Sequence, residues 1–381
     1  MKKKRIVVLG ATGSVGQTVL REIAAHREFF EVVGIACQRN VTRAQELLLE
    51  FNISALAITD ETIHITSDRK IYRGSAGLMA MVTELDFDAL VVAISGIDGL
   101  KPTLRAIDRS KDIILASKEI LVEAGDLVMQ RARERGVQIL PLDSEHNAIF
   151  QCTRGETGEI QKLQLTASGG RFWNLPVSAM EAATPEIVLN HPKWSMGAKI
   201  TVDSSTMANK GLEIIEAMHL FQVQAEQIEV LVHPECVVHS LVEFVDGNIL
   251  AQLSPTSMAY AARACLFFPE RGIASQSEKL DLAFLGSLHF YAPDLKKFPC
   301  LRLAYEVARR KQSLHIAYNA ANEVAVELFL AHKISFLSIP QILDAVLEKI
   351  DDRTFATLEE ILAVDQMVRS QACQVARRFA F

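Results

Sequence analysis

Two acidic residues and a third, distant glutamate are the side chains of this sequence best suited to bind a divalent cation. Asp143 and Glu145 are separated by one residue, and Glu213 lies one turn beyond Lys210 on a segment with helical spacing. Two carboxylates about 4 Å apart repel by about 4 kcal/mol at an effective dielectric constant of about 20, and a cation removes that cost. Oxygen ligands alone favour Mg²⁺ or Mn²⁺ over zinc. The alternative is a helix cap followed by an acid in the first turn, with no metal.

A second group of small polar residues and a lysine is typical of phosphate binding. Ser168 precedes two glycines, Ser204 stands in a run of serine and threonine, and Asn209 and Lys210 follow near the start of a predicted helix. Hydroxyl, amide and ammonium donors near a helix N-terminus can hold a phosphate dianion. Each segment by itself also fits an ordinary turn or cap, so the sequence leaves both interpretations open.

A glycine-rich turn near the N-terminus matches a dinucleotide-binding fingerprint. The sequence GATGSVG at 10–16 follows a predicted strand and precedes a predicted helix. Its glycines let the backbone approach a pyrophosphate, whose charge the positive end of the helix dipole stabilises. After the second strand stands Arg39 rather than the acid typical of NAD-binding proteins, which favours NADPH. A glycine-rich βα turn without a ligand is the alternative.

Alternating apolar runs and amphipathic segments predict the fold that carries these residues. Six runs typical of buried strands occur at Arg5–Leu9, Glu31–Ala36, Ala55–Thr59, Ala89–Ile94, Asp112–Ala116 and Val137–Leu140. The segments between them are long enough for crossover helices, so we expect a Rossmann-like, doubly wound parallel sheet. Asp143 follows the last run and therefore lies at the sheet edge where such folds bind ligands.

The rest of the chain predicts a smaller α+β domain and a C-terminal helical bundle. Residues 171–200 show little periodicity, which is typical of a flexible lid or binding loop. A helix is expected over about 206–221, and Asp246-Gly247 is a hairpin signal between two predicted strands. The predicted divisions are 1–142 (NADPH-binding domain), 143–268 (central α+β domain, containing the loop 171–200), 269–299 (linker) and 300–381 (helical domain).

Composition narrows the class of protein. A chain of 381 residues predicts two or three domains, and a net charge of −6 without a basic block argues against nucleic acid as a partner. No apolar run approaches the roughly 20 residues of a membrane span. The six cysteines lie far apart without a C-x-x-C pair, which favours reduced thiols and a cytoplasmic location.

Taken together, the motifs resemble those of the 1-deoxy-D-xylulose 5-phosphate reductoisomerase family. LDSEHNAIFQ at 142–151 and the VDS…NKGLE block within 199–217 are highly specific in combination. The other matching segments, in order over most of the chain, are GATGSVG at 10–16, LKPTLRAI at 100–107, ASKE at 116–119, ASGG at 167–170, HPKWSMG at 191–197, DGNILAQL at 246–253 and YNAANEVAVELFL at 318–330.

The resemblance implies both an assembly and a reaction. It implies a homodimer whose subunits carry a cofactor domain, a catalytic domain, a linker and a helical domain. It also implies that NADPH and Mg²⁺ or Mn²⁺ support the conversion of 1-deoxy-D-xylulose 5-phosphate to 2-C-methyl-D-erythritol 4-phosphate, in the methylerythritol phosphate pathway of isoprenoid biosynthesis. The expected chemistry is a retro-aldol and aldol rearrangement followed by hydride transfer to the resulting aldehyde.

By motif position, the resemblance assigns roles to residues of this chain. The metal ligands fall on Asp143, Glu145 and Glu213, and Lys118 or Glu145 is expected to transfer a proton. Substrate contacts fall on Ser144, Ser168, His191, Trp194, Ser204, Asn209, Lys210 and Glu213. Cofactor contacts fall on Thr12, Gly13, Ser14, Val15, Arg39, Ser117, Lys118, Glu119 and Gly197. Trp194 and Met196 fall on the loop that closes over the substrate.

Three segments depart from the family pattern. Ser117 replaces the usual asparagine, Glu235-Cys236 replaces Gln-Ser, and residues 254–259 keep only Met258 of a G-x-P-D-M-R segment. These departures bear on cofactor or subunit contacts, whereas every expected metal and phosphate position is filled. Two alternatives stay open at this point. One is another NADP-dependent, metal-assisted oxidoreductase, which would not need the phosphate set, and the other is a noncatalytic NADPH-binding regulator.

Overall fold

The computed structural model describes residues 2–190, 197–274 and 279–381, and the chain divides into two compact units. Unit 1 consists of Met1–Ile120, Val128–Asn147 and Ser257–Glu278, and unit 2 of Leu121–Leu127, Ala148–Thr256 and Lys279–Phe381. Each unit is therefore built from separate stretches of sequence. The predicted division into four consecutive segments stays a prediction.

The elements alternate regularly in the first part of the chain. They are β1 (Lys4–Leu9), α1 (Ser14–Ala25), β2 (Phe30–Cys37), α2 (Val41–Glu50), β3 (Ala55–Ile58), β4 (Lys70–Arg73), α3 (Gly74–Glu84), β5 (Ala89–Val92), α4 (Leu100–Asp108), β6 (Asp112–Leu115), α5 (Glu119–Arg135), β7 (Ile139–Pro141) and α6 (Ser144–Thr153).

Helices predominate in the remainder. The elements are β8 (Ile160–Ala167), α7 (Val177–Glu181), α8 (Pro185–Leu189), α9 (Ala198–Thr206), α10 (Ala208–Phe221), β9 (Ile228–Val232), β10 (Val238–Phe244), β11 (Ile249–Leu253), α11 (Met258–Phe267), α12 (Leu282–Leu285), α13 (Pro299–Ala308), α14 (Gln312–Leu330), α15 (Ser338–Leu347) and α16 (Leu358–Ala376).

Unit 1 is organised around a seven-stranded parallel sheet in the order β4-β3-β2-β1-β5-β6-β7. The chain winds outward from β1 in one direction and then resumes at β5 on its other side, which is the doubly wound topology that the apolar runs predict. All six expected strands are present. The seventh, β4, was not predicted, because its sequence KIYR has two exposed charged residues at the sheet edge and lacks a continuous apolar run.

Unit 2 combines a four-stranded sheet with packed helices, as expected for an α+β region followed by a helical bundle. The strand order is β11-β10-β8-β9, with β8 parallel to β9 and the other pairs antiparallel. A continuous apolar core joins the sheet to α10 and to the C-terminal helices, and it includes Leu163, Leu165, Ile214, Tyr318 and Phe329. Burial of these side chains supplies the main driving force for this packing.

The segment predicted as an aperiodic loop is partly helical. Within 171–200 the structure contains α7, α8 and the start of α9, and Pro185 occupies the first turn of α8, where its missing N–H costs nothing. The helix expected over about 206–221 begins at Ala208, because Met207 adopts a left-handed backbone conformation with φ of 59° between α9 and α10. Along the described ranges of the chain, no helix is long and apolar enough to cross a membrane.

Candidate active site

The glycine-rich turn lies where β1 ends, at the point where the winding of the parallel sheet reverses. Gly10 has φ of +78°, and a Cβ there would lie 2.1 Å from the carbonyl oxygen of Ala93, just beyond β5. A Cβ on Gly16 would lie 2.2 Å from the carbonyl oxygen of Gly10. Both positions therefore exclude any side chain, and this close packing brings the start of α1 up against the sheet edge.

The N-terminus of α1 is suited to an anion. Gly13 is its N-cap residue, no side chain caps the helix among the described residues, and its first turn carries no acid. Gly13 and Ser14 are exposed, whereas Thr12 and Val15 are half-buried. Backbone N–H groups and the positive end of the helix dipole are therefore presented at the surface where the sequence predicts a pyrophosphate.

Arg39 stands just beyond β2, and it forms an ion pair with Asp60, an acid just beyond the neighbouring strand β3. The Arg39 Nε lies 2.9 Å from Asp60 Oδ2, and the Arg39 side chain is 77% exposed. Hydrogen bonds from Thr62 and then from Arg39 hold the pKa of Asp60 below its ordinary value. Asp60 is a neighbour that the sequence analysis missed, because only the pairing of β2 with β3 brings it beside Arg39.

The acidic centre of unit 1 is built where β7 ends and α6 begins. Lys118 forms an ion pair with Asp143, and His146 Nδ1 lies 3.7 Å from the second oxygen of the same carboxylate. Burial alone raises the pKa of Asp143, but the charge of Lys118 and the contact with His146 outweigh it and hold that pKa well below its ordinary range. Asp143 is therefore a carboxylate at neutral pH, as a metal ligand must be.

The residues that flank Asp143 and Lys118 in sequence form hydrogen bonds with nearby groups. The Ser144 hydroxyl donates to Glu145 Oε2, and the Glu145 N–H approaches Asp143 Oδ1 at 3.4 Å. Ser117, the serine that departs from the family pattern, donates its hydroxyl to the carbonyl of Ile94 and so ties the start of α5 to the end of β5. Lys118 and Glu119 are both buried.

In unit 2, one carboxylate organises the start of α10. Glu213 is fully buried and accepts a hydrogen bond from Asn209 and a charged one from Lys210, whose Nζ lies 2.5 Å from Glu213 Oε2. Lys210 Nζ also donates to the carbonyl oxygen of Thr166 at 2.6 Å. Paired and hydrogen-bonded in this way, the buried charges are compensated. The helical spacing predicted the Lys210–Glu213 pair, but the contact with β8 depends on the tertiary fold.

The turn after β8 packs against the end of α9 and brings two predicted phosphate ligands together. The Ser168 and Ser204 hydroxyl oxygens lie 3.5 Å apart, and the Gly170 N–H donates to Ser168 Oγ at 3.2 Å. Gly170 has φ of +65°, and a Cβ there would lie 2.4 Å from the carbonyl oxygen of Ser204. Unit 2 therefore gathers four of the predicted substrate ligands, Ser168, Ser204, Asn209 and Lys210, and the predicted metal ligand Glu213 around one turn.

For the remaining predicted site positions, the structure shows no contact that bears on their predicted roles or does not describe them. Gly197 is exposed and precedes α9 as its N-cap residue. His191, Trp194 and Met196 lie outside the described residues.

Glu235, which departs from the family pattern, binds two histidines. Its carboxylate lies 2.6 Å from His289 Nδ1 and 3.0 Å from His233 Nδ1. His146 was missed by the sequence analysis, although its position three residues after Asp143 places it on the same side of a helix.

The fold and these side chains define a class: a dinucleotide-binding α/β protein that also carries acidic and hydroxyl-rich ligand positions. Comparison with family models narrows this class. The model described as 1-deoxy-D-xylulose 5-phosphate reductoisomerase matches residues 6–125, and two models for the C-terminal domain of that enzyme match residues 139–221 and 253–371. The chain belongs to the 1-deoxy-D-xylulose 5-phosphate reductoisomerase family.

Relatives and solved structures agree with this assignment. The chain is 43% identical to the 1-deoxy-D-xylulose 5-phosphate reductoisomerase of Clostridium perfringens, over 96% of this chain and 98% of that one. It is 44% identical to the enzyme of Moorella thermoacetica, over 99% and 100% of the two chains. A crystal structure of a DOX-P reductoisomerase in complex with NADPH, fosmidomycin and magnesium has a TM-score of 0.92 at 41% identity, covering 98% of each chain. The Zymomonas mobilis enzyme in complex with NADPH has a TM-score of 0.88 at 38% identity, covering 98% of this chain and 99% of that one.

Proposed function

We propose that this chain is an NADP-dependent oxidoreductase that isomerises and reduces 1-deoxy-D-xylulose 5-phosphate to 2-C-methyl-D-erythritol 4-phosphate. The observation that carries the proposal is the identity of 43–44% with named reductoisomerases over nearly the whole of both chains. The described residues add the side-chain chemistry that such a reaction needs. The product belongs to the methylerythritol phosphate pathway of isoprenoid biosynthesis.

NADPH would be held by the glycine-rich turn and by Arg39. The exposed start of α1 fits a pyrophosphate, since Gly10 and Gly16 allow the close approach of the backbone, and Thr12, Gly13, Ser14 and Val15 are the proposed contacts. Arg39 fits a 2′-phosphate. We assign Ser117, Lys118, Glu119 and Gly197 to the cofactor site on the family resemblance alone. When bound, NADPH supplies the hydride.

A divalent cation, Mg²⁺ or Mn²⁺, would be held by Asp143, Glu145 and Glu213. The donor set fits, because Asp143 is ionised and all three side chains offer carboxylate oxygens, which hard cations prefer. The ion supplies Lewis-acid chemistry at the oxygens of the substrate. Lys118 pairs with Asp143 and Lys210 pairs with Glu213, and each ion pair holds its carboxylate in a fixed orientation and offsets the cost of burying the charge.

The phosphate of the substrate would bind to Ser168, Ser204, Asn209 and Lys210. Hydroxyl and amide donors set the orientation of a phosphate, and the ammonium of Lys210 supplies positive charge. Ser144, His191 and Trp194 are the further substrate contacts that we propose, with Met196 on the same covering loop. Anchoring by the phosphate keeps the fragments of the substrate together for recombination, which is how positioning lowers the barrier. Lys118 and Glu145 are the proposed groups for proton transfer.

The decisive experiment is turnover of purified protein with 1-deoxy-D-xylulose 5-phosphate, NADPH and Mg²⁺, followed by NADPH absorbance. We expect turnover that requires both the phosphorylated sugar and the metal. Glu213→Gln should lower kcat by about 100-fold, the scale at which metal-site partners act, because it removes a negative charge from the proposed ligand set. The affinity for NADPH should stay the same.

Glu229→Gln is the matched control for this variant. Glu229 lies in β9 of the same unit and pairs with Lys162 at 3.2 Å, but its side chain is 44% exposed. The Glu229→Gln variant should therefore have the same kcat as the wild type. Equal losses of kcat and NADPH affinity in Glu213→Gln would contradict the metal assignment. Activity with other carbonyl substrates but not this one would favour a different NADP-dependent oxidoreductase, and NADPH binding without any turnover would favour a regulator.

The assembly that we propose is a homodimer in the cytoplasm. All six cysteines are free thiols, which supports a reducing compartment. The strand β11 lies at the edge of the sheet in unit 2 and exposes Ile249 and Leu250. Edge strands with exposed apolar side chains readily pair with another chain, so a second copy is the proposed occupant.

Light scattering tests the dimer directly. Ile249→Lys should shift the protein from dimer to monomer, because the charge cannot be buried in the interface without a partner. Leu49→Lys is the control, since Leu49 is an exposed leucine on α2 in unit 1 and should leave the mass unchanged. A dimer that persists in Ile249→Lys would place the interface elsewhere, and a monomeric wild type would contradict the dimer itself.

A further inference from the structure

The carboxylate of Asp203 is a buried charge directly beside Ser204, and the proposed chemistry does not use it. Its side chain is 1% exposed. Asn322 Nδ2 donates to Asp203 Oδ1 at 2.7 Å, and Lys199 Nζ lies 3.1 Å from Asp203 Oδ2. A buried carboxylate needs such partners to offset the loss of hydration. The Lys199 ion pair lies within the short helix α9, whereas the hydrogen bond from Asn322 links α9 to α14 across 119 residues of sequence.

The backbone of the same residue continues this link toward α10. The Thr206 hydroxyl donates to the carbonyl oxygen of Asp203 at 3.2 Å, and the Ala208 N–H donates to the Thr206 hydroxyl at 3.2 Å. The next two residues are Asn209 and Lys210. The position of Asp203 is therefore connected, through one turn of chain, to three of the four proposed phosphate ligands.

The two helices differ in how firmly they are held. The helix α9 has nine residues, fewer than the roughly 12–15 that an isolated helix needs for marginal stability, so its position depends on tertiary contacts. The helix α14 has 19 residues and is buried along most of its length, and Asn322 on it is fully buried. It provides a rigid base on which the carboxamide of Asn322 fixes Asp203.

We propose that Asn322 is a positioning residue for the phosphate subsite: by binding Asp203 it fixes the end of α9 and therefore the orientation of Ser204 and of the turn that leads to Lys210. This inference rests on the proposed function, since it concerns the phosphate-binding role of that turn. Asn322 does not itself contact the substrate. Its effect is on substrate affinity and not on the chemical groups of the reaction.

The test uses the full-length protein with Mg²⁺ and NADPH, and two readouts: the KM for 1-deoxy-D-xylulose 5-phosphate and the competitive inhibition constant of inorganic phosphate. Asn322→Leu keeps the size of the side chain and removes the hydrogen bond. It should raise both constants about tenfold, equivalent to about 1.4 kcal/mol, while kcat and NADPH affinity stay close to wild type. Asn322→Asp should do the same, because it places a second carboxylate against Asp203.

Rescue distinguishes positioning from a general loss of stability. The double variant Asp203→Asn with Asn322→Asp exchanges donor and acceptor, and it should restore both constants toward wild type. Asn319→Leu is the matched control, because Asn319 lies one turn earlier on α14, is equally buried, and donates to Glu123 and more weakly to Glu323, not to Asp203. It should lower the melting temperature without changing either constant.

The outcomes separate this inference from the proposed function. If Lys210→Ala weakens phosphate inhibition but Asn322→Leu and Asn322→Asp do not, the inference is overturned and the phosphate subsite stands. The same conclusion follows if Asn319→Leu raises the constants as much as Asn322→Leu, or if the exchange variant restores nothing. If phosphate does not compete with the substrate in the wild type, the subsite and the inference both fail.

Discussion

At the scale of single residues, the pair Arg39–Asp60 allows the proposed 2′-phosphate site to be tested in two directions. Arg39→Asp places two carboxylates together where a 2′-phosphate is proposed, so it should narrow or reverse the preference for NADPH over NADH. Asp60→Asn removes the competing carboxylate, 2.9 Å from the guanidinium, and should sharpen that preference. The measurement is the ratio of kcat/KM for the two cofactors in each variant. Unchanged ratios in both variants would place the 2′-phosphate elsewhere.

At the scale of elements, the contact of the turn after β8 with the end of α9 is the most constrained feature of the proposed phosphate subsite. Gly170→Ala introduces a Cβ 2.4 Å from the Ser204 carbonyl oxygen and a strained φ of +65°. We expect a raised KM for the substrate, because the clash separates Ser168 from Ser204, together with a loss of about 1–2 kcal/mol of stability from the backbone strain.

Gly155→Ala separates these two effects. Gly155 also has a positive φ, of +81°, but a Cβ there has no atom within 4 Å. Gly155→Ala should therefore lose stability in urea denaturation through backbone strain alone, without the added cost of a clash, and it should keep a normal KM. A raised KM in both variants would mean that backbone strain alone, and not the contact with α9, affects substrate binding.

At the scale of the whole molecule, a buried histidine makes stability depend on pH. Burial, and then the charge of His219, lower the pKa of His315 from 6.5 to about 4. The unfolded chain therefore binds a proton between about pH 6.5 and 4 that the folded chain does not, so the free energy of unfolding falls as the pH falls through this window. Fully developed, the loss is about 3 kcal/mol.

Urea denaturation at several pH values checks this expectation. His315→Gln keeps an N–H that can donate to the Val307 carbonyl, the present partner of His315 Nε2 at 3.0 Å, but cannot take up the proton. It should flatten the dependence of stability on pH between 6.5 and 4. His332→Gln, at an exposed position, should leave the slope as in the wild type. An unchanged slope in His315→Gln would assign the effect to other groups.

The sequence by itself determined the features that depend on local patterns. Continuous apolar runs identify six of the seven parallel strands, because strands buried on both faces need apolar side chains throughout. Glycine spacing predicts the tight turn between β1 and α1, and the structure shows that only glycine fits the close approach at Gly10. Helical spacing brings Lys210 and Glu213 together without any knowledge of the fold. Resemblance to a known family then supplied the reaction and the ligand sets.

Only the tertiary structure decided which distant residues support these features. The edge strand β4, the Asp60 partner of Arg39 and the contact of Lys210 with Thr166 leave no signal in local periodicity. The pair Asp203–Asn322 joins residues 119 positions apart. Such contacts form because a buried polar group must find a partner in the folded core, and which partner it finds depends on how the helices and strands pack, not on its neighbours in sequence.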